Sequence, residues 1–357
     1  MALITFNDIC ISDQYSEIDS RSKVDISVRL GKTKMEFPVV SANMPDITEN
    51  KMSVEMFVNG GLGIIHRFMT VEDNVNQFKT AISDMTRYAT MTKCADLYDY
   101  EKEHIQYSCG VSIGVKDEEK ERFEKLYEAG ARLFCIDIAH GHSMMMKKMV
   151  LWIKQTKDVC IIAGNIATPR AALDLAEWGV NVVKVGIGPG MVCRTRSNTG
   201  VGRPQFSALM DVAKVLNGSG TGVQIISDGG IKTSGDIAKA LIFADAVMVG
   251  AVLAGTIETP GAVYPEESTD LTNRRYYKMY GGSASMENKI KNGQAGRFVE
   301  GEMRRIPFKG HAKYLLREIK DGLQSSLSYS GAMNLKEYKE KVKWEIISGA
   351  GKEESKL

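Results

Sequence analysis

A single cysteine set among glycines and arginines is the first feature of this chain that could do chemistry. Residues 186–205 read GIGPGMVCRTRSNTGVGRPQ. Glycines at 186, 188 and 190 let the backbone turn sharply and bring N–H and C=O groups close to a ligand, as in loops that cradle phosphates at helix N-termini. Tight turns after strands need glycine for steric reasons too, so the GxGxG run alone does not separate the two readings. Cys193 stands beside Arg194 and Arg196, and nearby cations favour the nucleophilic thiolate. The plain alternative is a buried cysteine acting as a small hydrophobe, and the polar loop speaks against it.

Two other stretches pair with this loop. In IISDGGI (225–231), Asp228 is a carboxylate of the kind that accepts hydrogen bonds from vicinal hydroxyls, which suits a ribose. Gly229 and Gly230 then open a helix whose first amides could hold phosphate. In MVGAVLAGT (248–256), Gly250 and Ala251 again offer backbone amides. Either stretch alone reads equally well as an ordinary turn. Together with the cysteine loop they describe a nucleoside monophosphate pocket containing a nucleophile. His140 and His142, in IDIAHGHS, read as a structural turn, since their spacing is a poor metal signal.

These loops need a scaffold that brings them to one face. Short β-rich runs at 37–42, 61–66, 108–115, 132–139, 159–164, 181–187, 223–228 and 245–250 alternate with longer amphipathic stretches. Most are near-continuous Val/Ile runs, as expected of parallel strands buried on both faces. Residues 116–131, with Phe123, Leu126 and Tyr127 on one face and Gly130 at the end, typify the helices. Eight such units fit a (β/α)8 barrel better than an open doubly wound sheet, which periodicity alone cannot exclude. The polar and glycine residues cluster just after the strands, where barrel active sites are built. We read one domain over 1–357, with a helical connection at 68–107 too short for an inserted domain. The long, glycine-rich and unpatterned stretch 262–309 reads as a mobile flap after the eighth strand.

Composition sets the outer bounds. The 357 residues are 43% hydrophobic and 25% charged, with a net charge of +2, which argues against nucleic acid or an anionic membrane surface as the main partner. No signal-peptide pattern opens the sequence, and no window approaches the length of a membrane span. The cysteines at 10, 94, 109, 135, 160 and 193 form no CxxC pair, so a reducing, cytoplasmic setting with free thiols is expected.

The motifs GIGPGMVCRTR…TGVGRPQ, IDIAHGHS, SDGGIKTSGDIAKAL, VMVGAVLAGTIETPG, IPFKG (306–310) and DGLQSSLSYSGA (321–332) closely resemble those of the IMP dehydrogenase and GMP reductase superfamily. The resemblance runs in order along nearly the whole chain. It implies a (β/α)8 barrel assembled as a homotetramer, and a purine nucleotide attacked at C2 by Cys193 to give a covalent thioimidate. It implies nucleotide contacts from Asn43, Asp228, Gly229, Gly230, Gly250, Ala251, Ser283 and Arg297. Asp137 and Asn165 would face the nicotinamide cofactor. Carbonyls of Gly188, Gly190 and Cys193 would hold a monovalent cation such as potassium.

The two branches of the superfamily part ways after the attack. A dehydrogenase passes hydride from IMP to NAD and hydrolyses the adduct; a reductase expels ammonia from GMP and accepts hydride from NADPH. Three features resemble the reductase branch. Residues 68–107 leave no room for the CBS pair that most dehydrogenases carry. SANM puts Asn43 where dehydrogenases have a second alanine. RFVEGE resembles the short reductase flap R-x-x-E-G-K, with Arg297-Phe298 in place of a water-activating Arg-Tyr pair. On this reading Thr195, assisted by Glu300, relays the proton that the departing amino group needs. An IMP dehydrogenase without CBS domains is the alternative, and a catalytically silent nucleotide binder is a third reading that the intact Cys193, Thr195 and Glu300 set disfavours. Met191, Arg194 and Ser283 depart from the usual residues at their positions. Arg194 would lower the thiol pKa or draw in an anion.

Overall fold

The strand-forming runs are rich in Val and Ile because each strand is enclosed on both faces, by barrel interior and by helix. In the computed structural model, which describes residues 2–92, 105–266, 275–282 and 301–354, they become β4 (Val39–Ser41), β5 (Leu62–Ile65), β6 (Cys109–Ile113), β7 (Leu133–Asp137), β8 (Cys160–Ile166), β9 (Val182–Val185), β10 (Gln224–Asp228) and β11 (Ala246–Val249). Ahead of them lie β1 (Ile9–Ser12), β2 (Val28–Leu30) and β3 (Thr33–Met35). All eight barrel strands pair in parallel, and β10 closes on both β9 and β11. Closure decides against the open sheet: the fold is a (β/α)8 barrel.

Helices Asn50–Val58, Val71–Thr92, Glu118–Glu128, Met144–Thr156, Pro169–Glu177, Gln205–Ser219, Ser234–Leu241 and Ala312–Tyr329 follow successive barrel strands. Their starts are fixed by side chains that take up orphan amides. Ser143 accepts from the Met146 amide, Thr168 from Ala171 with Pro169 at the first helical position, and Thr233 from Asp236 in a reciprocal capping box. Helix Glu118–Glu128 ends just before Gly130, whose φ of 106° suits only glycine.

Helix Gln205–Ser219, which follows the cysteine loop, is anchored by Phe206. Its ring packs edge-on against Phe6, Phe243 and Trp344, and its full burial stabilises the fold by roughly 1.5–3 kcal/mol. Trp344 lies in β15 (Lys343–Ile346), which pairs antiparallel with β1, so both ends of the chain brace this helix.

The region 262–309 is not wholly irregular, contrary to its reading from sequence. β12 (Tyr264–Pro265), β13 (Tyr276–Gly281) and β14 (Met303–Pro307) form a three-stranded antiparallel sheet. The alternating burial of Lys278, Tyr280 and their neighbours was hidden by the glycines and charges around them. No helix among the described residues is long and apolar enough to cross a membrane.

Candidate active site

Residues just beyond the strand ends enclose a cavity of about 400 Å³ at the C-terminal end of the barrel. Its wall brings together Asn43, Asp137, Asn165, Gly188, Gly190, Cys193, Thr195, Asp228 and Gly229, as the sequence led us to expect. A larger cavity of about 660 Å³ lies at the other end, beside the residues that precede β4, β5 and β6. It holds neither the thiol nor Asp228, so the chemistry belongs to the smaller one.

The cysteine loop is shaped from within by Arg196. Its side chain lies against Gly188 and Gly202, where an added Cβ would come within 2.4 and 2.6 Å of Arg196 Cγ, and it bonds the carbonyl of Arg203. The same arginine therefore braces the loop, and burial lowers its pKa. The Cys193 amide donates to the Gly190 carbonyl at 3.1 Å. The thiol donates to Thr195 Oγ1 at 3.2 Å, so the expected nucleophile and the expected proton relay are in contact. Arg194 was expected to lower the thiol pKa or to draw in an anion. It turns to Glu302, with Nε 2.7 Å from the carboxylate, and is countered there instead of drawing in an anion. Ion pairing with Arg194 and Arg304 holds the Glu302 carboxyl below its ordinary value.

Glu302 also ties β14's approach to the loop, its amide donating to the Val192 carbonyl at 3.1 Å. Gly301 pairs with Cys193 through an antiparallel bridge. Ser283, Arg297 and Glu300 lie outside the described residues.

Below the loop, β9 contributes Lys184, which is 2% exposed. Its ammonium donates to Asp137 Oδ1 at 2.8 Å, to Asp228 Oδ2 at 2.7 Å and to the Asn165 side-chain carbonyl. Asn165 Nδ2 donates in turn to Asp228 Oδ2 at 2.8 Å and to the Gly186 carbonyl at 2.6 Å. Both bonds to Asp228 fall on Oδ2, so Oδ1 carries neither. Burial by itself pushes the Asp137 carboxyl up, but the Lys184 charge and bond, with Arg67 and Asn43 adding, hold it below the ordinary 3.8. Burial likewise lowers Lys184, and the two carboxylates outweigh it, so the ammonium is held protonated well above the ordinary range.

Gly230, Gly250 and Ala251 are not on the cavity wall. Gly250 sits behind it, where an added Cβ would come within 3.0 Å of Tyr280 Oη and 3.4 Å of Ala42. His142 is spoken for: Nε2 meets Asp174 Oδ2 at 2.7 Å, consistent with a structural turn. Lys184, Arg67 and Tyr280 line the cavity without having been singled out from sequence. A lysine inside the buried run NVVKVGI was the available signal, because such a charge must be paired.

The model of the "IMP dehydrogenase / GMP reductase domain" matches residues 3–357. The chain belongs to the IMP dehydrogenase/GMP reductase family. It is an oxidoreductase of that family. A GMP reductase from Acidovorax sp. (strain JS42) is 36% identical, covering 98% of this chain and 97% of that protein. An inosine-5'-monophosphate dehydrogenase from Cryptosporidium parvum is 34% identical over 99% of this chain and 94% of its own length. The crystal structure of a GMP reductase from Trypanosoma brucei in complex with guanosine 5'-monophosphate superposes with a TM-score of 0.88 at 26% identity, covering 100% of this chain and 98% of that one.

Proposed function

We propose that the protein is an NADPH-dependent GMP reductase: GMP, NADPH and two protons give IMP, NADP and ammonium. The observation that carries this reading is the bridge between Cys193 and Gly301. Gly301 closes the run Arg297-Phe298-Val299-Glu300-Gly301, which lacks the Arg-Tyr pair a dehydrogenase uses to activate water. The chemistry rests on the described contacts. Cys193 Sγ gives up its proton and adds to purine C2, forming the C–S bond. The 2-amino group leaves as ammonia once protonated, and Thr195, 3.2 Å from the thiol, is the hydroxyl in reach of both atoms. Glu300 is assigned as the acid behind it, and Arg297 and Ser283 as nucleotide contacts.

Asp228 Oδ1 accepts from the ribose hydroxyls, and the phosphate is assigned to the amide of Gly229 on the cavity wall and to those of Gly230, Gly250 and Ala251, which flank that wall. Asn43 bonds Asp137 and so orients it. NADPH, when bound, supplies the hydride that releases IMP from the thiol. The far wall fits such a group: among the described residues Arg67 Nε is buried with no hydrogen-bond partner, and an acceptor on the dinucleotide would satisfy it. Asp137 and Asn165 complete that wall. A monovalent cation on the Gly188, Gly190 and Cys193 carbonyls and a homotetramer complete the proposal. Activity titrated with potassium against sodium tests the first, and light scattering on the purified protein the second.

IMP dehydrogenase is the second reading, favoured by dehydrogenase relatives of similar identity. Nicotinamide absorbance with GMP and NADPH in one cuvette, and IMP, NAD and potassium in another, separates the two. Loss of signal with ammonia release in the first alone supports the reductase, and a rise in the second alone refutes it.

A further inference from the structure

Lys184 has no part in the chemistry above, yet it touches three of the residues assigned to the site. Its ammonium binds Asp137 at the end of β7, Asn165 in β8 and Asp228 at the end of β10. One cation on β9 thus gathers side chains from its two neighbours in the barrel, β8 and β10, and from β7 one strand further round. Asn165 extends the cluster to the Gly186 carbonyl, where the cysteine loop begins. We propose that Lys184 is a positioning residue that couples the nucleotide-anchoring carboxylate to the cofactor-facing one, so that purine binding and hydride transfer depend on the same buried charge. The inference rests on the roles given above to Asp228 and Asp137.

The physical case is electrostatic. Two carboxylates at 2.8 and 2.7 Å from one ammonium are held close together only while the cation is between them. Without it they repel, and the system relieves this by turning one of them away. A rotated Asp228 is a worse acceptor for vicinal hydroxyls. A displaced Asp137 changes the wall against which the cofactor lies. A neutral side chain of the same length fills the space and supplies neither restraint.

The test compares wild type with Lys184→Met in two readouts. Binding of GMP and of IMP is titrated calorimetrically without cofactor, and the hydride step is followed in single turnovers. Affinity for both nucleotides and the hydride rate are each expected to fall on the order of tenfold or more. In the Lys184→Met background, Asp137→Asn should slow the hydride step by less than about twofold further, because the coupling it would break is already gone. Lys184→Gln, which drops the charge and keeps a donor, replaces the methionine variant if thermal melting shows that it does not fold. Unchanged affinity and rate, or fully additive effects of the two substitutions, would overturn the proposal. A wild type that turns over IMP and not GMP sinks the reductase reading only; the IMP titration and the hydride step from IMP then decide the role of Lys184.

Discussion

Gly186 brings the cysteine loop against Asp228, the proposed nucleotide anchor, and a single methyl group there tests the geometry. A Cβ added at Gly186 would lie 1.9 Å from the Asp228 carbonyl oxygen and 3.2 Å from Gln205 Oε1. Both are backbone or braced groups: Gln205 is held by the Val185 carbonyl at 2.7 Å. Relief therefore needs the loop and the end of β10 to separate by roughly 1 Å, an overpacking cost of about 1–3 kcal/mol. The φ of 154° adds about 1–2 kcal/mol for a residue with a side chain. Gly220 is the control, with φ of 66° and no atom within 4 Å of its added Cβ, so Gly220→Ala carries the conformational term alone. At about 2 °C per kcal/mol for a chain of this size, Gly186→Ala should lower Tm by about 4–10 °C and Gly220→Ala by about 2–4 °C. A 1 Å displacement of Asp228 from the thiol should cost Gly186→Ala on the order of 100-fold in kcat/KM for GMP, with Gly220→Ala within about twofold of wild type. Scanning calorimetry and steady-state kinetics read both. Equal losses in the two variants would refute the claimed contact between loop and anchor.

The same structure makes other outcomes testable. Alkylation near neutral pH should modify Cys193 and the exposed Cys10 and spare Cys109 and Cys160, whose thiols burial pushes up to about 12 and about 11; peptide mass spectrometry reads this, and GMP should protect Cys193. Cys193→Ala should lower turnover on the order of 1,000-fold or more while leaving Tm within about 2 °C; surviving turnover rules out the covalent route. Because the Asp137 carboxyl is depressed in the folded state, its pairing with Lys184 stabilises fully above the ordinary 3.8 and is lost as pH falls through that region and below. The acid limb of stability in denaturant titrations should therefore be shallower in Asp137→Asn, and an unchanged limb would contradict the pairing.

The barrel was legible because parallel strands buried on both faces leave an unmistakable trace of Val and Ile. All eight runs are strands, and what periodicity could not supply was closure, which depends on β10 meeting both neighbours. The cysteine loop and Asp228 were legible because three glycine-rich stretches with a thiol and a carboxylate fall together at strand ends, whereas Thr195 and Asn165 came only from the family resemblance. The partner of Arg194 was not legible, since Glu302 lies 108 positions away and nothing local points to it. The sheet of β12 to β14 was missed for a similar reason: its hydrogen bonds join segments separated by a long connection. Lys184 could have been found, as a charge inside a valine run demands partners, but their identity depends on which strands the closed barrel makes neighbours.

The central claim, that Cys193 holds the purine while its C2 substituent is exchanged, is tested most directly by quenching the enzyme with acid during turnover of GMP and weighing the Cys193 peptide. The account predicts a peptide heavier by GMP less ammonia, absent when GMP is omitted. An unmodified Cys193 peptide from enzyme that is converting GMP to IMP would contradict it.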